Sequence, residues 1–180
     1  MNELEKKTLI EAVLYILEKT GGIDFYHLFK ILYFADRDHL AEWGSRIIAD
    51  DFYALDHGPV PTSLYDAIKE NTWRNHDLNT MFQEVVSFAG SDAPNVLLGN
   101  RKANRDYLSD SEMAALDRSI KANASLTFGQ LREKSHDAAW KEAFESSSKV
   151  LSPLKMAEAA KASSAMIDYI KEQEWVNQLL

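Results

Sequence analysis

Residues 30–66 read KILYFADRDHLAEWGSRIIADDFYALDHGPVPTSLYD, and this stretch decides the fold. Its first half continues a helical spacing of Phe25, Leu28, Leu32, Ala35 and His39, while Phe29, Tyr33 and Phe34 carry the apolar surface past one face. A helix apolar over so much of its circumference is buried against several neighbours. The pattern therefore predicts a central core helix, capped at its start by Asp24 and stopped near Gly44. The segment SRIIADDFYAL that follows is β-branched and aromatic, and fits a short strand or an extended connector equally well. At His57-Gly58-Pro59 the chain is expected to turn. Pro59 or Pro61 then opens a helix carrying Leu64, Tyr65 and Ile68 and ending near Asn71.

Upstream, residues 4–19 place Leu9, Ile10, Val13, Leu14, Ile16 and Leu17 at helical spacing before the stop at Gly21-Gly22. Downstream, FQEVVSF and NVLL flank a Gly-Ser-Asp-Ala-Pro loop within residues 82–100, the pattern of a β-hairpin. Ser109 with Glu112, and Thr127 with Gln130, have the spacing of capping boxes. The first opens a helix with Met113, Leu116 and Ile120 facing inward. Another helix starts around residues 135–140 with Asp137 in its first turn, and Ser146-Ser147-Ser148 breaks it. Ser152-Pro153 begins a final helix through Ala157, Ala160, Met166, Ile167 and Ile170. The expected fold is mainly α: a single compact multi-helix domain with one small β-hairpin at about residues 82–100. The helical domain proper is expected over 1–150, with 151–180 as a C-terminal helix and tail packing on it or extending from it.

Composition narrows the function classes. The 180 residues include no cysteine, which removes disulfides, thiolate catalysis and cysteine-ligated zinc together. No apolar run approaches the ~18 residues of a membrane span, and the opening MNELEKKTLIEAV lacks the basic-then-apolar order of a signal peptide. A cytoplasmic protein is expected. The formal charge of −8, from 28 acidic and 20 basic residues, disfavours nucleic acid as a partner and favours a basic one. The best basic cluster is Arg101, Lys102 and Arg105.

Asp36, His39, Asp56, His57, His136 and Asp137 are residue types that ligate zinc or a hard divalent ion. Yet the chain has neither an H-E-x-x-H motif nor a repeated Glu-x-x-His, so no metal ligand is assigned. It also lacks a G-x-S-x-G elbow and any glycine-rich phosphate loop, so no catalytic residue and no cofactor is assigned. His57 and His136 are expected at helix starts, where a histidine more often ties a loop than performs chemistry. Arg37 is expected as a charge paired locally with Asp36 or Asp38. Two alternatives are retained: a metal-dependent hydrolase using the Asp and His residues, and a winged-helix-like DNA-binding regulator with Arg101, Lys102 and Arg105 on its wing.

Lys30-Ile31-Leu32-Tyr33-Phe34-Ala35-Asp36, then Tyr53-Ala54, then His57-Gly58-Pro59-Val60 and Tyr65, occur in an order and spacing that resembles the Panacea (SocA-like, phage-associated GepA-type) antitoxin domain. Leu108-Ser109 with Glu112, Leu116-Asp117, and Ser135-His136-Asp137 with Trp140 resemble its second half, so that the likeness extends from about Leu4 to Phe144. The resemblance implies a mainly helical, non-enzymatic antitoxin that neutralises a cognate protein toxin by direct contact. One branch of that family is an adaptor delivering its toxin to a cellular protease. No cofactor is implied. The partner-binding surface expected on this basis comprises Asp36, Arg37, His39, His57, Pro59, Tyr65 and His136.

Overall fold

Two long apolar helices occupy the centre of the molecule, whose computed structural model describes residues 1–69 and 76–178. Helix α1 (Glu3–Thr20) starts in a capping box between Asn2 and Glu5, and every residue from Leu9 to Leu17 is buried. Gly21, at φ 70°, ends it in the left-handed conformation that glycine adopts without a Cβ penalty. Strand β1 (Ile23–Asp24) leads into helix α2 (Phe25–Trp43), and the Asp24 carboxylate accepts the His27 N–H at 3.0 Å as its N-cap. Residues Leu28 to Asp36 of α2 are all buried, the consequence of an apolar surface wider than one face. Leu9, Leu14, Leu28 and Leu64 have no exposed surface, each stabilising the fold by roughly 1.5–3 kcal/mol relative to an exposed leucine.

After Gly44 an extended stretch leads to a hairpin of β2 (Phe52–Leu55) and β3 (Gly58–Pro61), paired antiparallel with Phe52 opposite Pro61 and Leu55 opposite Gly58. This hairpin corrects the expectation of a turn that launches a helix. Asp56 and His57 form its two-residue connection, Pro59 lies within the strand, and the helix waits for Pro61. Gly58 suits the turn: its φ is 98°, and a Cβ there would run into the Ser135 hydroxyl and press on the Lys30 side chain. Both long edges of the hairpin are closed. Along β3, Pro59 and Pro61 offer no N–H, while β2 is flanked by residues 149–151 through Ala54 N–H to Lys149 O (2.8 Å) and Leu151 N–H to Phe52 O (2.9 Å).

Helix α3 (Thr62–Ile68) follows; its expected end at Asn71 lies outside the described residues. Helix α4 (His76–Val85) turns Leu78 and Phe82 inward, so residues 82–85 finish a helix rather than begin a strand. The expected hairpin is shorter than its pattern implied, with β4 (Val86–Phe88) and β5 (Val96–Gly99) as its strands. It gains β1 as a third strand, in the order β1-β5-β4.

A 3-10 turn at Arg105–Tyr107 precedes α5 (Asp110–Asn123) and α6 (Phe128–Ser135), which open with the two capping boxes read from the sequence. Asp137 caps α7 (Ala138–Glu145) through the Trp140 N–H at 3.0 Å. The expected final helix is two: α8 (Pro153–Ala159) and α9 (Ser164–Gln178), separated where Lys161 takes a φ of 61°. Helix α2 packs on α5, α8, α6, α9 and β3 and is the axis of the fold. The protein is mainly helical with small antiparallel sheets, as expected, and has one more hairpin than expected.

Candidate functional site

The charged residues of α2 face the interior. Asp36 is fully buried and accepts from Arg46 Nε (2.6 Å), Ile47 N–H (2.6 Å) and Ile48 N–H (3.1 Å), so it ties down the segment after Gly44. A carboxylate deprived of water is tolerated because three donors replace that water. His39 is also buried. Its Nδ1 lies 2.7 Å from Ser45 O and its Nε2 3.1 Å from Ser111 Oγ. A carbonyl can only accept, so Nδ1 carries a proton and donates to Ser45 O. Neither residue presents itself to a partner, which corrects their expected place on an exposed surface: the apolar face of α2 carries both into the core.

Arg37 is mostly covered and reaches well beyond its own helix. Its guanidinium pairs with Asp38 at 2.8 Å and with Asp137 at 3.1 Å, at the start of α7. Tyr33 donates to the same Asp137 carboxylate at 2.7 Å. Burial, followed by the Asp137 charge, pushes the Tyr33 hydroxyl well above its ordinary pKa. The expected local pairing of Arg37 thus extends to a long-range clamp between α2 and α7.

Asp50 was not singled out by the sequence, yet it caps α3 from a distance. Pro61 stands at the N-cap without a side chain to offer, and the buried Asp50 carboxylate accepts from Ser63 N–H and Leu64 N–H, both at 3.0 Å. Burial pushes its pKa up against the pull of those N–H groups. Lys30 was likewise unanticipated in its placement. It has no exposed surface, its ammonium donates to Pro59 O at 2.8 Å, and it lies 4.7 Å from the centroid of the Tyr26 ring. It has no carboxylate partner among the described residues, and desolvation pulls its pKa down to about 7. Pro59 is buried, and its carbonyl receives the Lys30 ammonium.

His57 and Tyr65 remain exposed. They share a groove of about 580 Å³ formed between the start of α2, the β2–β3 hairpin, α3, the end of α7 and the segment that follows it. Phe25, Tyr26, Phe29 and Phe144 make its walls aromatic, and Leu55 and Tyr65 bring further exposed apolar surface to it. The Tyr26 hydroxyl donates to His57 O at 3.1 Å, which holds the hairpin tip against α2. The Tyr26 ring in turn packs on Phe128 of α6, centroid to centroid 4.3 Å. Behind the groove, His136 stacks on Trp140 at 3.6 Å and Trp140 on Phe144 at 4.6 Å. Trp140 Nε1 donates to Leu55 O at 3.0 Å. His136 is a wall support here, and burial followed by the Arg132 and Lys30 charges lowers its pKa.

The seven residues expected on one surface therefore separate: His57 and Tyr65 face the groove, His136 and Pro59 lie behind it, Arg37 clamps α7, and Asp36 and His39 hold the far end of α2. Among the described residues no three Asp, Glu or His side chains gather to hold a metal ion. Two of the three cations of the alternative DNA-binding wing are engaged by acids of α1, Arg101 by Glu11 at 2.6 Å and Arg105 by Glu18 at 3.3 Å. No described helix is long and apolar enough to cross a membrane.

A family model described as antitoxin SocA-like, Panacea domain, matches residues 28–141. The match takes in most of α2, the hairpin, the groove's α3 wall and the His136–Trp140 stack, and leaves out α1, α8 and α9. No curated protein and no solved structure matches the chain.

Proposed function

This chain belongs to the SocA-like, Panacea-domain antitoxin family, and on that premise we propose that it neutralises a cognate protein toxin by direct contact, through the face that carries His57 and Tyr65. The observation behind this reading is the aromatic groove: an open, largely apolar cleft of about 580 Å³ on a rigid frame. Protein interfaces concentrate their binding free energy in a few aromatic anchors set in desolvated pockets, and the groove supplies such a pocket. Its rigidity follows from the ties around it. Lys30 holds Pro59, Tyr26 holds His57, and Trp140 holds Leu55. A site ordered before binding loses little conformational entropy when a partner arrives. Asp36, His39, Arg37 and His136 act in this reading as the frame that keeps the groove in shape.

Co-expression with the toxic product of the neighbouring gene tests the proposal. Wild-type protein is expected to restore growth, and a folded Tyr65→Asp, His57→Glu variant is expected to lose the rescue and co-purification of the toxin. Undiminished rescue by that variant, with its thermal melt unchanged, would refute the assigned face.

A further inference from the structure

The described lining of the groove is opposite in sign to the chain that carries it. The protein has a formal charge of −8, but among the described residues the groove's ionisable lining holds two lysines, Lys69 and Lys149, against one carboxylate, Asp56, together with the His57 imidazole. Neither lysine is neutralised by an acid among the described residues. The Lys69 ammonium lies 4.3 Å from the centroid of the Phe25 ring. Lys149 lies 4.3 Å from that of Phe144 and donates to the Phe144 carbonyl. Arg132 adds a further cation at the hairpin tip, where it donates to Asp56 O at 3.2 Å.

Aromatic walls alone would suit a cationic ligand. Here two ring faces are already occupied by ammonium groups, and a further cation would meet like charge. A purely apolar ligand would cover the rings and leave the lysines without anionic partners. Strand addition is closed as well, because the prolines of β3 and the 149–151 segment along β2 leave no free row of N–H groups on the hairpin. Resting on the toxin-binding reading above, we propose that the groove takes a segment of the toxin in which an apolar anchor side chain is flanked by carboxylates. The anchor fills the space between Phe29, Tyr65 and Leu55, and the carboxylates meet Lys69 and Lys149. Recognition is by side chains throughout.

Fluorescence anisotropy with three short labelled peptides tests this: one with Leu and Phe anchors flanked by Asp and Glu, one with those acids replaced by Lys, and one with the anchors replaced by Ser. The acidic peptide is expected to bind at least about tenfold more tightly than the lysine version at low ionic strength, and the gap is expected to narrow at about 1 M salt, where screening acts within roughly 3 Å. In a Lys69→Glu, Lys149→Glu variant the preference should invert, a reversal that general damage to the fold would not produce. Tyr65→Ser should weaken the acidic peptide at every salt concentration. Equal binding of acidic and basic peptides, or a preference unmoved by the charge reversal, overturns the proposal. So does a homodimer in sedimentation that Tyr65→Ser dissolves, which would give the groove to a second copy. Rescue by the charge-reversed variant as complete as that by wild type sinks this inference and leaves the antitoxin reading standing, whereas a wild-type protein that rescues nothing sinks that reading itself.

Discussion

Replacing Lys30 by methionine keeps an unbranched side chain, one atom shorter, and removes its charge. The ammonium is buried with one hydrogen-bond acceptor, Pro59 O, and its pKa falls from 10.5 to about 7. The shift of about 3.5 units corresponds to roughly 5 kcal/mol by which the charged form is disfavoured in the folded state. Below pH 7 the lysine is protonated both folded and unfolded, and the folded protein bears that full penalty. Between about pH 7 and 10.5 the unfolded chain binds the extra proton, so wild-type stability relative to the variant rises with pH, by up to about 1.4 kcal/mol per unit. Methionine relieves the penalty but leaves the buried Pro59 carbonyl without its donor, at a cost of about 1–3 kcal/mol. The variant should therefore be about 2–4 kcal/mol more stable than wild type near pH 6.5, and the two curves should cross near pH 9. Urea denaturation of both proteins from pH 6 to 10 measures the difference. A gap that does not change with pH would refute the buried, unpaired ammonium as its cause.

Asp36→Ala leaves the Ile47 and Ile48 N–H groups and the Arg46 guanidinium without their acceptor; a loss of about 3–5 kcal/mol is expected in the same denaturation assay, and less than about 1 kcal/mol would show that water replaces the carboxylate. Gly58→Ala imposes a side chain at φ 98° against the Ser135 hydroxyl, with an expected cost of about 2 kcal/mol; Ser135→Ala should recover part of it in a double-mutant cycle, and strict additivity would argue against the contact.

Features governed by near neighbours were legible in the sequence. Asp24, Ser109 and Thr127 cap the helices predicted for them, and Gly21 and Gly44 end theirs, because the partners of a cap lie within three or four residues. Features assembled across the chain were not. Asp50 caps a helix whose first turn lies thirteen residues away, and one of two adjacent aspartates before a strand carries no mark of that role. Lys30 lies beside Tyr26 and Tyr33 rather than on the Phe25–Leu28–Leu32 stripe, and a lysine at such a position ordinarily extends its amine to water. The β2–β3 hairpin was obscured by its prolines, which suit a helix start as well as a closed strand edge. The groove draws on α2, β2, β3, α3, the end of α7 and the chain beyond it, so the cleft shared by His57 and Tyr65 could not be read from the sequence.

The closed edges of that hairpin bear on how recognition can change over time. A partner bound by strand addition is held by main-chain groups that every sequence shares, and specificity there is written on a common grammar. With proline along one margin and residues 149–151 along the other, this surface has no such grammar to offer. Whatever it distinguishes must be encoded in replaceable side chains around a fixed backbone. On the proposed reading of the groove, single substitutions on the rim exchange one partner for another while the ties beneath it, Lys30 to Pro59 and Asp50 to α3, stay untouched.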